Sequence, residues 1–273
     1  MAAQNSNITV RSILSAYIAL TKPKIIILLL ITSVGGMFLA EKGIPGIGLM
    51  ATVLFGGALA AAGANAINQY LEKDIDAVMT RTSKKRPLVS QIIPSSHALI
   101  VGLATNLAAF AMLWMLVNPE SAILTLCASV FYIFIYTMLL KKRTPQNIVI
   151  GGAAGAVPPL VGWVAVRGYE GVYELAPALC LFIIIFVWTP PHFWTLSLIL
   201  KDDYKKAKIP MLPVVVGIES TKWAILRYTL ILVAITLVTY LVFNHIFGYM
   251  FLLSSVIFGA LFIWYVVKLL RTN

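Results

Sequence analysis

Charge is scarce in this chain: Asp, Glu, Lys and Arg make up 11% of its 273 residues, against about 25% in an average soluble domain. With 60% of residues hydrophobic, that shortage excludes an ordinary soluble enzyme. Cysteine is nearly missing as well. Cys127 and Cys180 both sit within apolar stretches and far apart, which excludes a disulfide framework and a cysteine metal-ligand spacing. Acids number ten against 21 Lys and Arg, and none of the ten lies in the middle of a long apolar run. Ion-coupled pumps and transporters bury carboxylates near the bilayer centre, so their absence argues against that class. The three histidines form no Ser/His/Asp or Cys/His nucleophile arrangement.

Long apolar runs are what the chain has instead. A hydrocarbon core about 30 Å thick needs roughly 20 helical residues at 1.5 Å rise each. Candidate spans lie near 25–40, 47–69, 97–117, 121–140, 147–166, 175–200, 223–243 and 247–270. The expected fold class is therefore all-α: a polytopic transmembrane helix bundle of eight spans forming one domain, 1–273, with no room for a separate soluble domain. The first 24 residues are polar, contain Lys22-Pro23-Lys24 and show no small-residue cleavage site, so no signal peptide is expected.

Nineteen of the 21 basic residues fall on one side of this arrangement, on the amino-terminal tail, the connections after the second, fourth and sixth spans, and the chain end. Only Lys42 and Arg167 fall on the other. Under the positive-inside rule both termini are then cytoplasmic. The net charge of +11 reports orientation in a cell membrane and contact with membrane lipid, and nucleic acid is not an expected partner.

The acids on the basic side gather in two clusters. The first runs Asn68-Gln69-Tyr70-Leu71-Glu72-Lys73-Asp74-Ile75-Asp76 and continues to Arg81, Lys84, Lys85 and Arg86. If the second helix continues through it, Asn68, Glu72 and Asp76 share one face at i, i+4 and i+8, and Asp74 points elsewhere. Acids at a helix C-terminus oppose the macrodipole, so a compensating cation is expected. Oxygen ligands of this kind suit Mg²⁺, which also takes waters and phosphate oxygens, and the basic residues that follow could hold a diphosphate. The second cluster, from Lys201-Asp202-Asp203 to Pro213, ends the sixth span. Four spans separate the clusters, so both emerge on the same side and can meet over one bundle cavity.

Two proline pairs interrupt helical runs. Pro158-Pro159 follows the small-residue run Gly151 to Ala156, and Pro190-Pro191 precedes His192 within Trp188-Thr189-Pro190-Pro191-His192-Phe193-Trp194. Each pair is expected to bend its helix. An imidazole inside a span is costly unless it faces a cavity or partner, so His192 is expected either to satisfy a carbonyl freed at the kink or to touch a ligand.

These residues resemble the intramembrane UbiA-type prenyltransferases, and within them the branch that farnesylates haem. The family's first motif, Asn-Asp-x-x-Asp-x-x-x-Asp, is similar to Asn68-Gln69-x-x-Glu72-x-x-x-Asp76, with Asp74-Ile75-Asp76, Met79, Arg81 and Thr82 matching the haem branch. Its second motif resembles Asp203-Tyr204-x-x-Ala207-x-Ile209-Pro210-x-Leu212-Pro213-Val214-Val215, and Pro191-His192-Phe193 resembles its sixth-helix signature. The likeness runs from Thr21-Lys22-Pro23 to Gly217. Two features depart from it: Ala207 stands where the general family has a second aspartate, which leaves the metal mainly to the first loop, and eight spans are counted against the family's nine.

The resemblance implies transfer of farnesyl from farnesyl diphosphate to a vinyl carbon of haem b, with addition of water. It implies Mg²⁺ as cofactor, held by Asn68, Glu72, Asp76 and Asp203, which are also the expected catalytic residues. The diphosphate is expected on Arg81, Lys84, Lys85, Arg86 and Lys201, and haem on His192, Trp188 and Phe193. Trp163, Trp188, Phe193 and Trp194 are candidate aromatic faces for the allylic cation. Haem-modifying or terminal oxidase assembly proteins are the implied downstream partners. Two other readings stay open: the same chemistry on a quinone precursor or a lipid, and a haem carrier without catalysis.

Overall fold

The computed structural model describes residues 9–272. Its longer helices are the apolar runs read from the sequence. A short helix α1 (Val10–Thr21) turns at Lys22 into α2 (Pro23–Glu41), and α3 (Ile47–Leu71) returns. Two short helices follow, α4 (Lys73–Val78) and α5 (Thr80–Ser83). The chain then crosses in α6 (Ser95–Leu116) and α7 (Pro119–Val130), which passes into a π-helical stretch at Phe131–Leu140. The next crossing is divided into α8 (Asn147–Ala156) and α9 (Pro158–Arg167). Then come α10 (Val172–Ile199), the short α11 (Lys201–Lys206) and α12 (Leu212–Val215), and a final helical segment α13 (Ile218–Arg271).

Seven of these segments are long and apolar enough to cross a bilayer, and the last is 54 residues long. At 1.5 Å per residue it would reach about 80 Å, far more than one crossing needs. Its backbone leaves helical geometry at Phe243 and Gly248, where φ of Gly248 is 66°. The chain turns back there: Lys222 donates to the carbonyl of Thr272, and Ile225 and Val266 share one buried cluster. Counting this hairpin as two gives the eight crossings expected, and no ninth is found among the described residues. The protein is an integral membrane helix bundle.

Helix contacts inside the bundle depend on small residues. At Gly36 a Cβ would sit 2.1 Å from the carbonyl oxygen of Pro159, and at Gly162 one would sit 2.0 Å from that of Ser33. The two glycines let α2 and α9 touch backbone to backbone, as small residues do between membrane helices. The proline pairs behave differently from one another. Pro158 opens α9 after a break at Val157, as expected. Pro190 and Pro191 lie within an unbroken α10, where Thr195 donates to the carbonyl of Pro191 at 2.7 Å.

Candidate active site

A cavity of about 470 Å³ runs between the spans. At one end it is lined by charged residues and by Tyr132, Tyr136 and Tyr204; farther in, its wall consists of aliphatic and small side chains from α2, α3, α8 and α9. The end of α3 and the start of α4 supply the acidic stripe of the charged end. Asn68, Glu72 and Asp76 all line the cavity and are nearly fully buried, whereas Asp74 is exposed. The stripe survives a break in the helix, because Glu72 links α3 to α4 through successive backbone bonds: Glu72 N–H to Asn68 and Asp76 N–H to Glu72.

Each member of the stripe meets a cation. Lys22 donates to Oδ1 of Asn68 at 2.8 Å, Lys141 pairs with Oε1 of Glu72, and Arg86 Nε lies 3.3 Å from Oδ2 of Asp76. Arg81 lines the same end of the cavity. Four cations therefore surround two carboxylates, leaving a surplus of positive charge at a cavity mouth that suits an anion.

Lys22 and Lys141 were not legible as site residues. Lys22 has φ 57° and ψ 60°, an uncommon conformation for a residue with a side chain. Amides on α3 hold the turn: Asn65 donates to the carbonyl of Thr21 at 2.9 Å and Gln69 to that of Leu20 at 2.7 Å. Gln69 of the first motif thus clamps the chain instead of facing the cavity. Burial, and after it the nearby Arg86, push the Lys22 ammonium pKa down to about 7. Lys141 comes from the end of the π-helical stretch, where its N–H bonds to the carbonyl of Tyr136. In the same stretch Thr137 donates to the carbonyl of Tyr132 and accepts from Asn68.

Asp203 takes another place than the one expected. It does not line the cavity. Its two oxygens accept the backbone N–H groups of Thr80 and Arg81, at 3.2 and 3.0 Å, and these bonds hold its carboxyl below the usual carboxylate range. The second acidic cluster therefore fastens the loop that carries Arg81. The backbone donors opening α5 account for it, since carboxylates favour helix N-termini. Next to it Tyr204 is buried against the cavity, which raises its phenol pKa.

The remaining expected residues divide. Arg81, Arg86 and Phe193 line the cavity, but Lys84, Lys85 and Lys201 do not, and Lys84 and Lys85 are exposed. Trp188 and His192 are stacked with ring centroids 4.3 Å apart and line an outward groove with Phe258 and Phe262. The expected haem trio is split: Thr189 and Phe193 point to the cavity one helical turn apart, while Trp188 and His192 point away. His192 is bonded to no freed carbonyl among the described residues. Trp163 and Trp194 are core residues, Trp163 beside Arg167 and Trp194 edge-on to Tyr228. The aromatic rings that line the charged end are Tyr132 and Tyr136, stacked at 5.6 Å.

The sequence model of the UbiA prenyltransferase family matches residues 29–273. Protoheme IX farnesyltransferase of Roseiflexus sp. (strain RS-1) is 47% identical over 261 residues, covering 95% of this chain and 47% of that protein. Protoheme IX farnesyltransferase 1 of Saccharopolyspora erythraea is 47% identical over 252 residues, covering 90% of this chain and 79% of that protein. The chain thus spans about half the length of the Roseiflexus relative. A solved structure from work on digeranylgeranylglyceryl phosphate synthase superposes with a TM-score of 0.75 at 22% identity, over 95% of this chain and 88% of that one. A UbiA homologue from Archaeoglobus fulgidus bound to GPP and Mg²⁺ gives 0.67 at 18% identity, over 93% and 86%. At those identities the two structures speak for the fold alone. The sequence match extends over most of the bundle and includes the acid stripe of α3, and the chain belongs to the UbiA prenyltransferase family.

Proposed function

We propose that the chain is a protohaem IX farnesyltransferase, moving farnesyl from farnesyl diphosphate to a vinyl carbon of haem b, with addition of water, to give haem O. The observation that carries the reading is the meeting of two carboxylates and four cations at the charged end of an apolar cavity. The relatives' names supply the acceptor. The basic face is proposed to be cytoplasmic.

In this reading the bond between the first farnesyl carbon and the diphosphate oxygen breaks, and the electron pair leaves with diphosphate. The vinyl group attacks the allylic cation, and water adds to the resulting haem-side cation with loss of a proton. Asn68, Glu72 and Asp76 fit magnesium, since an amide and two carboxylates without His or Cys are hard oxygen donors, and substrate oxygens and water complete such a shell. Bound there, Mg²⁺ supplies positive charge beside the departing diphosphate. Arg81 and Arg86 grip phosphate oxygens through forked hydrogen bonds. Lys141, and Lys22 in its protonated form, add ammonium charge from two other elements, in position before the charge develops. Tyr132 and Tyr136 offer ring faces to the cation, and the aliphatic wall keeps water from the allylic carbon.

The stacked Trp188–His192 pair, facing outward, is proposed as a contact for haem arriving from the bilayer, with Phe193 on the inner side of the same helix. The deciding experiment incubates purified protein with haem b, farnesyl diphosphate and Mg²⁺ and looks for haem O by mass. Farnesylation of a quinone precursor or a lipid under the same conditions, with haem b untouched, would replace the acceptor. Bound haem with no product from any acceptor would leave the carrier reading.

A further inference from the structure

Helix α1 is too short to cross the membrane: its 12 residues span about 18 Å, against the roughly 30 Å of a hydrocarbon core. It lies instead across the ends of α3 and α6 at the basic face. Ala16 and Leu20 are buried there with Ala66 of α3 and Ala98 of α6, and the Tyr17 hydroxyl meets Nδ1 of His97, in the first turn of α6, at 3.1 Å. The other side of α1 is apolar, and no described residue covers it. Val10, Leu14 and Ile18 recur every fourth position and keep 84%, 61% and 53% of their exposure. At about 100° per residue their stripe stands roughly 140° round the helix from Ala16 and Leu20, and exposed Arg11 borders it. At Lys22 the chain passes directly into α2, whose exposed Leu28 and Ile31 lie within a span and so face lipid. The apolar stripe of α1 therefore begins where a lipid-facing surface ends.

A second segment packs under the same helix. Leu88 and Ile93, both nearly fully buried, belong to the cluster of Ala16 and Leu20, and backbone bonds from Val89, Ser90 and Ile92 back to Arg86 and Pro87 hold their loop compact. Leu20 stands two residues before Lys22, and Leu88 two residues after Arg86. Two of the four cations at the cavity mouth thus hang from one apolar joint. Around that joint Arg11, Lys24, Lys84 and Lys85 are exposed. Spacing offers Lys84 and Lys85 to a diphosphate, yet neither lines the cavity, and none of the four pairs with an acid among the described residues.

A short helix with an apolar stripe and a basic border, set level with the ends of the spans, has the form of a membrane-surface helix, and exposed lysines beside it attract acidic headgroups. We propose that α1 lies in the headgroup layer of the basic face with Val10, Leu14 and Ile18 in the acyl boundary, that Arg11, Lys24, Lys84 and Lys85 hold anionic phospholipid there, and that this contact keeps Lys22 and Arg86 at the cavity mouth. The last step rests on the diphosphate reading of the mouth; the lipid surface does not.

The test has three arms, all on the full chain. In neutral detergent, native mass spectrometry with phosphatidylglycerol or phosphatidylcholine added should show the anionic lipid retained about fivefold or more over the neutral one, and Lys84→Gln with Lys85→Gln should remove most of that preference. Excess inorganic diphosphate should leave the retained lipid in place. Equal retention of the two lipids, or loss of the anionic one to diphosphate, would overturn the lipid surface, the second by placing the lipid at the mouth. In nanodiscs of the two lipids, a fluorophore on Leu14→Cys, with Cys127→Ala and Cys180→Ala, should be quenched by nitroxide lipid and not by iodide; the opposite pattern would overturn the placement of α1. In the same discs Leu14→Gln with Ile18→Gln, both at exposed positions, should leave Tm unchanged and weaken Mg²⁺ farnesyl diphosphate binding about fivefold, as when the competent arrangement falls to about a fifth of the population. Unchanged affinity would overturn the coupling to the mouth. No farnesyl diphosphate binding even by the unaltered chain, with the first two arms as expected, would remove the diphosphate reading and the coupling with it, and leave the lipid surface standing.

Discussion

Removing Lys141 tests the charged end of the cavity most directly, because its partner is buried. The side chains of Lys141 and Glu72 keep 14% and 8% of their exposure. In Lys141→Met the Glu72 carboxylate stays in the cavity wall without its ammonium partner. Breaking a buried pair from one side costs about 3 to 5 kcal/mol, chiefly through the stranded charge. The cavity admits some water, so the lower end, about 3 kcal/mol, is expected. For a chain of this size that is a loss of roughly 6 to 12 °C in Tm. Lys141→Met combined with Glu72→Leu removes both charges, and most of the loss should return, since well-packed apolar residues often replace a buried pair at little cost. Both variants should fail to turn over. Thermal unfolding in detergent, read by tryptophan fluorescence and circular dichroism, supplies the cycle. A single variant within about 1 °C of the parent, or a double variant that loses as much as both singles added together, would refute the pairing.

Asp76→Ala should abolish turnover in a protein that remains folded, while Asp74→Ala on the exposed side of α4 should be active; the reverse result would mean the stripe has been phased wrongly. Arg81→Lys should raise the KM for farnesyl diphosphate and leave haem binding unchanged, as steady-state kinetics with each substrate varied would show. Asp203→Asn should also raise that KM, through a loosened Arg81 loop. Because the folded carboxyl titrates below its unfolded value, the stability it adds is complete above about pH 4 and is lost as pH falls through the folded pKa. The asparagine variant should therefore show a shallower decline in Tm between pH 6 and 3. His192→Ala should alter the absorption spectrum of added haem without changing farnesyl diphosphate affinity, and an unchanged spectrum would remove it from the haem site.

The spans were legible because a run of some twenty apolar residues carries its own signal, and the bend at Phe243 and Gly248 only divides a segment whose length already implied two crossings. The acid stripe was legible for the same reason: Asn68, Glu72 and Asp76 keep helical spacing across the join of α3 and α4, so spacing alone sets their face. Lys22 was hidden because its direction depends on a left-handed turn clamped by amides more than forty residues away. The place of Asp203 was hidden because the backbone donors at Thr80 and Arg81 that meet it leave no mark in composition. Trp188 and His192 are a different case. Their spacing of four predicts the stacking observed, and helical phase separates them from Phe193, but the cost of an imidazole in a span does not say which face of the helix carries it.

The π-helical stretch between Phe131 and Leu140 changes which residues can act together. At 100° per residue an α-helix carries position 141 through nine steps, about 900°, and so to the side opposite Tyr132. With hydrogen bonds running from i to i+5, a turn takes about 4.4 residues, and the same nine steps come to roughly 740°, within about 20° of Tyr132. Tyr132, Tyr136 and Lys141 consequently look into one cavity, although α periodicity assigns the lysine to the far side. Wound back to α pitch with every residue unchanged, the segment would turn its ammonium away from Glu72. The loosened winding acts as a phase shifter, giving the backbone, rather than any side chain, the choice of which cation Glu72 meets.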